Sequence, residues 1–221
     1  MPFSFRLISL LVLLGAPVMQ SHAATVLIDA TMLNGSFETG ASTTVFNNWV
    51  APSGGSIQRQ NNMASAGGWS LVVGLSAANV PIGAVLNTTY VLTTGDTFSL
   101  SFDVRGAFQA ETTDQMNWTL FYTSDNTMTG TQTVLFSGTQ AVGGSTYAST
   151  GTLPTAAVGA GAAGKMLFFS FMPGSGFTSD EYSRVDNVSL NVTSVPEPSA
   201  FGVLAAASPL LFFRRRVLRR A

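Results

Sequence analysis

The chain has 221 residues, 10% of them charged, with no Cys and one His, and its net charge of −1 hides an uneven distribution. Residues 24–195 carry ten acids against four bases, a balance of −6, while residues 196–221 carry five Arg against one Glu, a balance of +4. With His22 next to a predicted export cleavage point, residues 24–195 exclude Ser-His-Asp and Cys-His catalysis, zinc sites of the usual N/S type, and disulfides.

The first element in chain order is an export signal over residues 1–23. Arg6 precedes an apolar run at residues 7–14 broken only by Ser9, followed by Gly15, Pro17 and the small residues Ser21 and Ala23. This pattern predicts a signal helix cleaved after Ala23. A cysteine-free exported domain over residues 24–193 must then rely on its own core, and a domain of that size can bury roughly two-thirds of its unfolded surface.

Residues 25–193 are rich in Gly, Ser, Thr and Asn, with short apolar runs bounded by turn formers. Strands are predicted at 27–37, 69–74, 84–92, 97–105, 117–124, 131–137, 145–153, 165–172 and 184–192. The clearest is Phe98-Ser99-Leu100-Ser101-Phe102-Asp103-Val104, whose strict alternation puts Phe98, Leu100, Phe102 and Val104 on one buried face. In Asn117-Trp118-Thr119-Leu120-Phe121-Tyr122 the same rule places Trp118, Leu120 and Tyr122 together and Phe121 on the opposite face. Many short strands without a sustained helical period predict an all-β fold, a jelly-roll β-sandwich flanked by the signal helix and a short C-terminal membrane helix.

Asn34-Gly35-Ser36-Phe37-Glu38, with Trp49 following, and the closing Asp186-Asn187-Val188-Ser189-Leu190 resemble the first- and last-strand signatures of galactose-binding-like jelly rolls. That fold is shared by many carbohydrate-binding modules. The resemblance implies a structural calcium held by oxygen donors at Asn34, Glu38 and Asp186, as suits a hard cation; the alternative is that Glu38 and Asp186 are solvated or paired with Arg184. Sugars present apolar C–H faces rimmed by hydroxyls, so aromatic platforms are expected in a binding site. Of the available rings, Trp49, beside Asn47 and Asn48, is the surface candidate for ligand binding.

Two tempting motifs lead nowhere. Gly159-Ala160-Gly161-Ala162-Ala163-Gly164-Lys165 matches a phosphate-binding loop in part, but Met166 stands where Ser or Thr is needed and a strand follows. Glu38, Glu111 and Glu181 could supply a glycosidase pair, yet nothing in the sequence brings two of them together. The acidic balance of residues 24–195 argues against a nucleic-acid partner.

The last elements are a linker at 194–199 containing Pro196-Glu197-Pro198, an apolar segment at 200–213, and an Arg-rich tail at 214–221 led by Arg214, Arg215 and Arg216. As a helix the apolar segment would rise about 21 Å against a hydrocarbon core of about 30 Å, with the Arg cluster retained in the cytoplasm as a stop-transfer signal. These three ordered elements resemble the PEP-CTERM sorting signal of exported bacterial proteins. The resemblance implies processing by exosortase, a tethered intermediate in the inner membrane of a Gram-negative bacterium, and delivery to the cell surface or extracellular matrix in association with polysaccharide. Three functions follow: a non-catalytic surface or biofilm-matrix protein, a carbohydrate-binding module with a defined glycan, or, least favoured by so few catalytic groups, a secreted hydrolase.

Overall fold

The computed structural model describes residues 23–195. Pro196, Glu197 and Pro198, the apolar segment 200–213, Arg214, Arg215 and Arg216, and nearly all of the predicted signal segment lie outside the described residues.

In chain order the strands are β1 (Thr25–Ile28), β2 (Trp49–Val50), β3 (Arg59–Gln60), β4 (Ser70–Leu75), β5 (Pro81–Ile82), β6 (Ala84–Val91), β7 (Thr97–Gly106), β8 (Gln115–Thr123), β9 (Gln132–Ala141), β10 (Ala148–Ser149), β11 (Leu153–Pro154), β12 (Met166–Pro173) and β13 (Glu181–Thr193). They form the expected β-sandwich of two sheets. The eight-stranded sheet has the order β10-β7-β13-β4-β3, with β1 beside β13, β11 beside β7 and β5 beside β4; the five-stranded sheet has the order β2-β6-β12-β8-β9. Thr25 pairs with Val192, so the first and last strands run side by side.

Alternation explains the core. Phe98, Leu100, Phe102 and Val104 of β7 are buried, as are Val185, Leu190 and Val192 of β13, and they face Leu86, Leu120, Leu167, Phe169 and Phe171 of the other sheet. Phe102 meets Phe171 edge to face at 5.0 Å. Each such ring contributes about 1.5–3 kcal/mol relative to an exposed position.

Two predicted strands break. The 27–37 run stops at Ile28 because Asp29 Oδ1 accepts the amides of Thr31 at 2.7 Å and Met32 at 2.6 Å, a local turn that displaces ladder pairing. Leu33, Asn34 and Phe37 then adopt positive φ, and a Cβ at Gly35 would stand 2.4 Å from Val188 O, so only glycine fits there. The 145–153 run splits into β10 and β11 around Gly151, whose φ is 64°. Sequence periodicity did not reveal the two-residue strands β2, β3 and β5, which are too short to show a period of two.

Candidate functional site

The outward side chains of the five-stranded sheet follow from its register. Val50, Val85, Ser170 and Thr119 lie in one row across β2, β6, β12 and β8, and Asn87, Phe168 and Phe121 lie in the next. Phe121 points outward as its alternation requires, yet it is only 1% exposed. It stacks on Phe168 at 5.4 Å and 19°, and the pair joins Val85 in a small apolar cluster under Met128.

The β8–β9 turn holds that cover in place. Asp125 Oδ1 accepts the Thr127 amide at 3.0 Å and hydroxyl at 2.9 Å, which keeps the exposed Asp125 carboxyl below the usual carboxylate range. Lys165 Nζ donates to Ser124 O at 2.8 Å, and Asn126 Oδ1 accepts the Met166 amide at 2.9 Å, so the turn is tied to the start of β12. A Cβ at Gly130 would sit 2.0 Å from Asp125 Oδ1, so a side chain there would displace the carboxylate that holds the turn.

Between this turn and the segment after β2 lies a groove of about 730 Å³. One wall is Val50, Ala51, Pro52 and Ser53; the other is Met128, Thr129, Gly130 and Gln132; Val85, Ser170 and Met172 form the floor. Its aliphatic floor, hydroxyls and amide suit contact and hydrogen bonding to a neutral polyhydroxylated chain. Sequence reasoning missed Ser170 and Met172 because Met166-Leu167-Phe168-Phe169-Ser170-Phe171-Met172 is almost wholly apolar on both faces. Once Phe169 and Phe171 are assigned to the core, the period of two turns Phe168, Ser170 and Met172 outward.

Trp49 is not a surface platform. It is 3% exposed, its Nε1–H donates to Leu33 O at 3.1 Å and Asn34 O at 3.2 Å, and its ring packs on Phe37 at 5.2 Å and Phe171 at 6.2 Å. Asn48 has a φ of 71°, so the polar neighbours that suggested a surface loop form a turn delivering the indole inward. Among the other aromatics, Trp69 lies under Arg59 at 4.2 Å, and Tyr182 stacks on the exposed Phe108 at 5.5 Å.

The three oxygen donors anticipated for calcium occupy two places. Asn34 is buried, its amide donating to Thr39 O at 2.9 Å and Asn47 O at 3.3 Å while its carbonyl accepts the Thr39 amide at 3.0 Å, which uses it as a loop staple. Glu38 and Asp186 instead converge on the segment before β4. Glu38 Oε1 accepts the amides of Gly68 at 2.9 Å and Trp69 at 2.8 Å; Asp186 Oδ2 accepts those of Ser65 at 2.7 Å and Ala66 at 3.1 Å. Burial pushes the Asp186 carboxyl up to about 6 against the pull of these amides, with the nearby Glu38 charge adding to the rise. A carboxylate offers about four acceptor sites, so both retain capacity for a hard cation. Among the described residues no cluster of three acidic or imidazole side chains forms, so any such cation would also need backbone oxygens.

No protein-family model matches the chain, and no curated protein matches it in sequence. Solved structures do share its fold. The CBM22-1 xylan-binding domain of Paenibacillus barcinonensis Xyn10C aligns with 80% of this chain and 99% of its own length at 15% identity and a TM-score of 0.52. The Stig cyclase Fisc of Fischerella sp. TAU aligns with 79% of this chain and 100% of its own at 17% identity and a TM-score of 0.53. A further cyclase from Fischerella sp. TAU gives 14% identity, 79% and 100% coverage and a TM-score of 0.54. At these identities the likeness shows the fold, which carries both binding domains and enzymes and does not choose between them.

Proposed function

We propose that residues 24–193 form a non-catalytic polysaccharide-binding module whose ligand lies in the groove across the five-stranded sheet. The observation that carries this reading is the groove itself, about 730 Å³ in volume, with Ser53, Thr129 and Gln132 on its walls and Ser170 between Val85 and Met172 in its floor. These side chains hold a ligand by contact and hydrogen bond, and have no group suited to proton transfer near neutral pH. The shared fold with a xylan-binding domain supports the same reading and makes neutral β-linked chains the first ligands to try.

The test is binding of xylo-oligosaccharides and other neutral glycans measured by calorimetry. Ser170→Tyr, which fills the floor, is expected to abolish binding, and Gln132→Ala to weaken it about 3- to 10-fold, the cost of one neutral hydrogen bond of about 0.5–1.5 kcal/mol. Unchanged affinity in both variants, with both still folded, would remove the groove from the function.

The ends add a destination to this activity. We infer from their resemblance to a PEP-CTERM sorting signal that the module is exported, processed by exosortase and displayed at the cell surface or in the matrix, where a polysaccharide ligand is at hand. A structural calcium at Glu38 and Asp186 would pin the Ser65 to Trp69 segment against β13.

A further inference from the structure

The opposite face of the sandwich carries a second polar arrangement that the groove does not use. Antiparallel register sets Arg184 of β13 directly across from Arg105 of β7, and Asp186 directly across from Asp103. Cross-strand like charges stand about 4.5–5.5 Å apart at Cβ and are destabilising unless other groups compensate them. The acids are compensated: backbone amides cover Asp186, and Asp103 Oδ2 accepts from Asn187 Nδ2 at 2.8 Å and from the Ser65 hydroxyl. The arginines are compensated by neutral acceptors and rings only, Arg184 lying 5.9 Å from the centre of the Tyr182 ring. Arg184 is 2% exposed, donates to Gln60 Oε1 and, at 3.5 Å, to Ser183 O, and leaves its buried Nε–H without a partner. Arg105 donates to Gly106 O at 3.1 Å, and its guanidinium lies 5.7 Å from the centre of the Tyr147 ring.

A buried cation opposite a second cation is destabilising, and neutral acceptors offset it less than a shared anion would. Arg105 and Tyr147 are half-buried at the rim and Arg184 lies beneath. We propose that Arg105, backed by the buried charge of Arg184 and flanked by Tyr147, forms a subsite for the carboxylate of an acidic sugar, a hexuronate, on the sheet opposite the groove. The planar guanidinium fork matches a carboxylate, and the half-buried Tyr147 ring is the aromatic surface next to Arg105. The sugar identity rests on the polysaccharide-binding reading; the carboxylate preference rests on the arginine pair alone.

The test uses the purified protein and sodium glucuronate, with a neutral xylo-oligosaccharide and inorganic sulfate as comparison probes, followed by calorimetry. Glucuronate is expected to bind, to bind at least about tenfold more weakly to Arg105→Gln, and to lose affinity as salt is raised, while the neutral probe is indifferent to both changes. Ser170→Tyr should leave glucuronate binding intact, which separates failure of this subsite from failure of the groove. Absence of glucuronate binding, equal binding by folded Arg105→Gln, or competition by sulfate as strong as by glucuronate would each overturn the assignment. If Arg105→Gln fails to fold, the salt dependence in the unaltered protein decides the matter, and an affinity indifferent to salt overturns it.

Discussion

The indole N–H of Trp49 fixes what that residue does. Shared between the carbonyls of Leu33 and Asn34, it binds the first loop to the core at the place where the chain turns away from the eight-stranded sheet. Trp49→Ala removes a buried ring and leaves two carbonyls short of a donor, so stability should fall by about 3–5 kcal/mol in denaturant unfolding. Glycan affinity per folded molecule should not change; a variant that unfolds at the unaltered midpoint but binds no glycan would restore Trp49 as a surface platform. Tyr147 shows a comparable commitment on the other face. Burial pushes its phenol up to about 12, and its hydroxyl donates to Met63 O, so it stays a neutral donor across the physiological range.

Among the elements, the segment from Ser65 to Trp69 depends most on charge. Four of its amides are held by two carboxylates that come from opposite ends of the sequence, Glu38 and Asp186. A cation bound between such groups would stabilise the native state only, so calcium should raise the melting temperature and a chelator should reverse the gain. Glu38→Gln should abolish the calcium increment; equal melting temperatures in calcium and chelator would show that the amides suffice. β7 was legible in sequence because one of its faces is buried and the other is largely polar. β12 was legible as a strand, although its outward face was not, because Phe168 is hidden beneath a turn whose folding back depends on Asp125, Asn126 and Lys165, contacts that no period encodes. The arginine pair was equally out of reach, since Arg105 and Arg184 meet only through β7–β13 register across 79 residues of sequence.

For the whole molecule, sequence and structure divide the work. We propose the ends, on their sequence alone, as addresses, and the sandwich as cargo with two broad faces. Intact-mass analysis of the mature protein, from cells with and without the sorting protease, should show loss of residues 1–23 in both and loss of the segment from near Pro196 only where the protease is present. Recovery of residues 201–221 in the surface form would remove the sorting reading. Because Thr25 lies against Val192, the chain enters and leaves the sandwich one strand spacing, about 4.8 Å, apart. A pull of one end against the other would therefore peel β1 from β13 one hydrogen-bonded pair at a time, where a ladder sheared along its length would break many at once. Held by a single end, the domain carries no such load across the β1–β13 pair.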